Sequence, residues 1–221
     1  MIQRLGYASL KSGKNTSLPL IQFEFRGKIA LVSSFGTEAA ILLHMVSEID
    51  RSTDIVFIDT GKLFTLTHQY REHLTDLFGL TSVKTQKPSS DDLQSHDPSG
   101  TLWETNVDKC CEIRRIRPLN KALGQYRCWI TGRKPIHGGE RSNLDYFELV
   151  EGQIKVNPLA ALRKQHIDFY YAKHKIPPHP LVDRGFLSVG CHHCSAPADD
   201  PNDPRSGRWK GLGKAECGIH T

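Results

Sequence analysis

The chain has 221 residues, with 29 Lys or Arg against 24 Asp or Glu and a formal net charge of +5. That length suits one domain with a sizeable core, and 38% hydrophobic with 24% charged residues exclude a disordered chain. No apolar run approaches the roughly 18–20 residues that span a bilayer, and the N-terminal segment lacks the apolar stretch of a signal peptide. A cytoplasmic protein without membrane contact is expected.

The charge is unevenly placed. Lys109 to Arg141 holds nine Lys/Arg and two Glu, a surplus of +7, and Arg205 to Thr221 holds four Lys/Arg and one Glu, a surplus of +3. The remainder therefore sums to −5. An acidic body with two short basic segments favours a localised anion site over the spread basic face of a nucleic-acid binder.

In chain order, Leu18 to Phe25 reads as a short helix or strand, and Lys28 to Ser33 as a buried strand. A helix follows over about Thr37–Glu48, a second buried strand over Asp54–Asp59, a helix over about Leu63–Phe78 and a third strand over Ser82–Thr85. This alternation predicts an α/β fold, a parallel sheet flanked by helices. Residues 86–100 are polar and turn-rich and read as an exposed loop. A helix is predicted over Cys110–Leu123, a strand over Arg127–Thr131, a Gly-rich basic loop over Gly132–Asn143 and a short strand over Ile154–Val156. Asn157 then reads as the N-cap of a helix with Pro158 at its first position. From Ala196 onward Gly, Pro, Asp and Arg dominate, predicting a mobile tail; residues 1–204 form the body and 205–221 the tail.

Ser33-Ser34-Phe35-Gly36-Thr37-Glu38 joins a strand to a helix N-terminus, where unpaired backbone N–H groups suit an anion; a plain capped turn reads equally well. Asp59-Thr60-Gly61 lies at the carboxyl end of the second strand, the edge where open parallel sheets bind ligands. The six cysteines carry more information. Cys110-Cys111 and Cys191-x-x-Cys194 make two thiol pairs, a soft donor set that selects zinc or an iron–sulfur cluster. Successive helical side chains diverge by about 100°, which favours a cluster over one small Zn²⁺, with reduced structural thiols as the plain alternative. Cys128, in an apolar strand, reads as core. Cys217 sits in the Gly-rich tail between Lys214 and His220, which lower a thiol pKa, and reads as a nucleophile on an arm.

Taken in order, these segments resemble the assimilatory adenylyl-sulfate (APS) reductases of the PAPS/APS reductase family. The resemblance runs from about Lys28 to the C-terminus and adds Lys62-Leu63-Phe64, Arg114, Ile154 to Leu159, Arg205-x-Gly-Arg208-Trp209 and Glu216-Cys217-Gly218-Ile219-His220. It implies an adenine-nucleotide α-hydrolase-like (PP-loop related) fold and one [4Fe–4S] cluster per chain on Cys110, Cys111, Cys191 and Cys194. It further implies that Cys217 attacks the sulfur of APS, releasing AMP and leaving an S-sulfocysteine from which thioredoxin or a glutaredoxin-like dithiol frees sulfite. Arg115, Arg205, Arg208 and His220 stand where the phosphosulfate would be held, with Arg133, Lys134 and Arg141 nearby; a homo-oligomer and no nucleic-acid partner are expected. The two cysteine pairs favour APS over PAPS as substrate. A PP-loop ATP-dependent sulfurtransferase and a zinc-bearing RNA-binding module are the competing readings. Three departures from the family pattern stand out: Arg115 replaces a usual Lys, Pro135 and His137 replace an Arg and a Gln, and His193 replaces a common Pro.

Overall fold

The computed structural model describes residues 18–135, 144–212, 214 and 218. Arg141, Cys217 and His220, with His137 and Glu216, lie outside the described residues. Six strands form one sheet: β1 (Ile29–Ser33), β2 (Asp54–Ile58), β3 (Val83–Gln86), β4 (Cys128–Ile130), β5 (Phe147–Val150) and β6 (Gln153–Val156), in the order β3-β2-β1-β4-β6-β5. All pairings are parallel except β5 with β6. The chain steps outward from β1 to β3 and then crosses back to β4 on β1's other side. The switch point therefore falls between β1 and β4, where open α/β sheets bind ligands.

Strand alternation sorts the core into two faces. Ile29, Leu31, Ile55, Phe57, Cys128, Ile130, Ile154 and Val156 pack on one side with α1 (Leu18–Glu24), α2 (Ala40–Ser47), α3 (Thr65–Phe78) and α8 (Lys164–His174). Ala30, Val56, Ile58 and Trp129 pack on the other against Leu119, Ala122 and Leu123 of α7 (Arg117–Leu123). Cys128 is fully buried, and burial pushes its thiol up to about 12, as fits a core residue.

Four expectations need correction. Residues 86–100 contain a helix, α4 (Ser90–His96), whose N-cap Ser89 accepts from the Asp92 amide; none of its residues is buried, so no apolar period marks it in the sequence. β5 went unseen. It joins β6 through Glu151 and Gly152, both at positive φ, a two-residue turn with Glu where Asn or Asp is the usual signal. No helix starts at Pro158. The Asn157 side chain is buried between β4 and β5, accepting from Thr131 Oγ1 (2.8 Å) and donating to the Asp145 carbonyl (2.7 Å), and α8 begins only at Lys164. Finally, the tail is folded back as far as Leu212. Ala196 donates to the Gly207 carbonyl, Ser195 bridges Arg208, and Trp209 is buried.

Beyond α8 the chain is pinned by His179, which is wholly buried. Its Nδ1 accepts from the Leu181 amide (3.1 Å), so Nε2 carries the proton and donates to Thr67 Oγ1 (3.2 Å). Burial lowers its pKa from 6.5 to about 4. The unfolded chain takes up this proton first, so stability falls as pH drops below 6.5. Urea unfolding at pH 5 should show a loss on the order of 2 kcal/mol against pH 7, much reduced in His179→Gln.

Candidate active site

The crevice at the switch point is built by the segments that leave β1 and β4. Ser33, Ser34, Gly36, Thr37, Glu38 and Ala39 line it from β1, and Thr131, Gly132, Arg133 and Lys134 from β4; Arg115, Ser188, Val189, Arg205, Arg208 and Trp209 close it. Phe35 takes a left-handed backbone conformation (φ 48°) and turns its ring into the core edge-on to Phe57, presenting its neighbours to the crevice. A Cβ on Gly36 would lie 3.2 Å from Ser34 Oγ and 3.4 Å from the Val189 carbonyl, so this turn is close-packed. Arg133 pairs with Glu148 (2.7 Å) and Lys134 with Glu38 (3.3 Å), and Arg115, Arg205 and Arg208 line the same crevice.

Beside the crevice, Cys110, Cys111, Cys191 and Cys194 line one chamber with Thr60, Lys62, Trp103, Arg114, Arg115 and His193. None of the four is in a disulfide. Cys110 and Cys111 end α6 (Val107–Cys111), and the helix continues through a π-helical turn (Glu112–Ile116) into α7. Such a bulge rotates the following residues and is frequent at functional sites; here it places Arg114 and Arg115 toward the chamber. Arg114 is buried, bidentate to Asp97 Oδ2 (2.8 and 2.6 Å), and donates to the Thr60 carbonyl (2.9 Å). Thr60 Oγ1 meets Cys191 Sγ at 3.2 Å, and Arg115 Nη2 donates to the same sulfur at 3.4 Å. His193 stacks on Trp103 with centroids 4.1 Å apart.

The chemistry of this donor set points to a metal group. Burial, then the neighbouring Cys111 and Cys191, pushes Cys110 up to about 12; burial, then Cys191 and Cys111, pushes Cys194 up to about 11. The ionisation of Cys110 and Cys194, opposed by burial and by their thiol neighbours, is relieved by a soft cation, which favours thiolate outright. Among the described residues no group of three or more His, Cys, Asp or Glu is arranged to hold a metal ion as it stands. The two thiol pairs that line the one chamber are the residues that could close on a soft metal group.

Of the predicted substrate residues, Ser33, Ser34, Gly36, Thr37, Glu38, Arg115, Arg133, Lys134, Arg205 and Arg208 line one crevice. Phe35 does not, being core. Asp59, Thr60 and Gly61 do not either. Asp59 Oδ1 accepts from the Gly61 amide (3.0 Å) in a local turn, and that turn presents Thr60 to Cys191. The Lys214 ammonium pairs with Asp108 and is thereby engaged by a carboxylate of the cysteine-bearing helix. Asp97 and Trp209 were missed as site residues: Asp97 stands in a stretch whose polarity reads as loop, and Trp209, though part of the Arg205-x-Gly-Arg208-Trp209 segment, carries no chemistry of its own and meets Cys194 only in space. No helix among the described residues is long and apolar enough to cross a membrane.

Residues 28–197 match the phosphoadenosine phosphosulfate reductase domain. Adenosine 5′-phosphosulfate reductase of Mesorhizobium japonicum is 44% identical over 196 residues, covering 89% of this chain and 77% of its own. The protein of the same name from Chelativorans sp. is 40% identical over 214 residues, 97% of this chain and 87% of that one. Among solved structures, a phosphoadenylyl-sulfate reductase from Candida auris superposes with a TM-score of 0.69 at 23% identity, covering 88% of this chain and 96% of that one. A Candida glabrata FMN adenylyltransferase shares the fold more distantly, with a TM-score of 0.57 at 15% identity over 79% of this chain and 58% of that one. The fold shared with these structures is the mostly parallel six-stranded sheet flanked by helices. The chain belongs to the phosphoadenosine phosphosulfate reductase family.

Two substitutions probe this geometry. Asp97→Ala leaves Arg114 buried without its carboxylate and should cost about 3–5 kcal/mol in urea unfolding. A Cβ at position 190 would fall 2.3 Å from Arg208 Nη2, so Gly190→Ala must displace that guanidinium. Its affinity for a nucleoside monophosphate, measured by calorimetry, should fall about tenfold.

Proposed function

We propose that the chain reduces adenosine 5′-phosphosulfate to sulfite and AMP in sulfate assimilation, with Cys217 as nucleophile and thioredoxin or a glutaredoxin-like dithiol as reductant. The observation that carries this reading is the adjoining pair of rooms. A crevice walled by Arg115, Arg205 and Arg208 opens beside a four-cysteine chamber, and Arg115 faces both. The high identity to relatives named for APS supports APS over its 3′-phosphorylated analogue.

Guanidinium forks match phosphate and sulfate oxygens and offset the charge of the bound sulfonucleotide. The Cys217 thiolate attacks the substrate sulfur, an S–S bond forms, the sulfur–oxygen bond to phosphate breaks, and AMP leaves with the electron pair. Arginine contacts that neutralise the departing phosphate make AMP the better leaving group. A thiolate of the dithiol partner then attacks Cys217 Sγ; sulfite leaves, and the partner's second thiol resolves the mixed disulfide. Cys217 is restored and the dithiol is oxidised to a disulfide, so two electrons reach sulfur.

Cys110, Cys111, Cys191 and Cys194 would hold a [4Fe–4S] cluster. When bound, it supplies a charged iron–sulfur centre beside the crevice. Thr60 and Arg115 donate toward Cys191 and fix that sulfur's orientation.

Anaerobically purified protein should be brown, with about four irons and four sulfides per chain. It should release sulfite from APS far faster than from PAPS when thioredoxin is supplied. Cys217→Ser should bind the nucleotide and form no sulfite; substantial turnover by that variant overturns the assignment.

A further inference from the structure

Residues 205–212 and Lys214 precede Cys217 in sequence, and their attachments converge on the two cysteine-bearing stretches. Trp209 is buried in one apolar cluster with Cys194, next to Cys111, Cys191, Val107 and Leu212. Its amide donates to the Cys194 carbonyl (3.1 Å), which also accepts from Arg208 Nε (3.1 Å). The guanidiniums of Arg205 and Arg208 lie over the indole at 5.3 and 4.4 Å. Ser195, the residue after Cys194, bridges Arg208, and the Lys214 ammonium pairs with Asp108 two residues before Cys110. The indole thus has thiols packed around it and both crevice guanidiniums stacked on it.

We propose that the cysteine chamber is the fastener of the arm that carries Cys217, and that Trp209 is the positioning residue through which it acts. A group held by Cys110, Cys111, Cys191 and Cys194 would tie the two cysteine-bearing stretches together and so fix the surroundings of the indole. The indole holds Arg205 and Arg208 at the crevice, and Leu212 and Lys214 carry that order toward the nucleophile. An emptied chamber leaves Trp209 against separate thiols, and a ten-residue segment without a core of its own loses its anchor. The identity of the filling group and of the nucleophile rests on the reductase reading above.

The test compares the full chain as isolated anaerobically with the same protein stripped of iron by a chelator under reducing conditions. Each is digested briefly with trypsin and the cuts are located by mass spectrometry. Cuts after Arg205, Arg208, Lys210 and Lys214 should appear roughly tenfold faster in the stripped protein, while the cut after Lys175 at the end of α8 keeps its rate. Iron-loaded Trp209→Ala should show the same fast arm cuts with its iron content intact, and Trp209→Phe, which keeps a stacking ring, should restore protection. Unchanged arm cuts in iron-free protein overturn the proposal. So does an equal rise at Lys175, which would make the cluster a support of the whole fold, and so does full protection in Trp209→Ala. A preparation without iron or sulfide defeats the cofactor reading and this proposal with it, whereas iron-loaded protein with unaltered cuts on stripping defeats this proposal alone.

Discussion

Arg114 and Asp97 meet inside the protein, and the placement of every cysteine-side group depends on that meeting. Asp97 Oδ2 accepts both arms of the guanidinium, Oδ1 accepts from the Leu102 amide (2.9 Å), and the remaining fork of Arg114 reaches the Thr60 carbonyl. Burial alone would raise the Asp97 pKa; the Leu102 amide and then Arg114 more than offset it and hold the carboxyl below its ordinary range. A buried ion pair is a weak source of net stability, because desolvation cancels most of the attraction. Its effect is geometric. It ties the loop after β2, the stretch before α5 (Leu102–Thr105) and the π-helical turn into one arrangement, and that arrangement sets where Cys110, Cys111 and Arg115 point.

The linear charge count takes on a different meaning in three dimensions. The basic stretch from Lys109 to Arg141 has a surplus of +7 in sequence, yet four of its described cations end in ion pairs with carboxylates from outside it. Arg114 meets Asp97, Arg117 meets Asp92 and Glu112, Arg133 meets Glu148, and Lys134 meets Glu38. The −5 remainder is therefore the complement of the basic stretch rather than a separate acidic face. Arg115, Arg205 and Arg208 line one crevice together with Arg133 and Lys134, so the basic side chains gather at one concave site rather than along an extended face.

Strands were legible wherever burial on both faces leaves a continuous apolar run, as in Ile29–Val32 and Ile55–Ile58. The edge strand β5 was not, because its residues face solvent on one side and its turn lacks the usual residues. Helix α4 was invisible for a related reason: it is stabilised by a cap and by Asp92 pairing with Arg117, and it buries nothing. At the site, residue types with a single strong chemistry, the cysteines and the arginines, announced themselves. Residues that act by contact did not, since nothing near Asp97 in sequence names Arg114 as its partner and nothing near Trp209 names Cys194.

Arg115 shows why the two rooms need to adjoin. It lines the crevice and the chamber at once and donates to Cys191 Sγ. A guanidinium presents five donors in one rigid plane, so a single side chain addresses a sulfur on one side and an oxyanion on the other with a fixed angle between them. A lysine at this position would be a point charge on a flexible stem, with three donors radiating from a single nitrogen. With arginine, the orientation of the fork is set from the cysteine side by Cys191 before any anion arrives. The stacked pair over Trp209 obeys the same rule, because Arg208 is oriented by the Cys194 carbonyl and both forks by the indole. Arg115 and Arg208 are thus referenced directly to the cysteine segments, and Arg205 through the indole, so the disposition of these crevice guanidiniums is a consequence of how those cysteines are held.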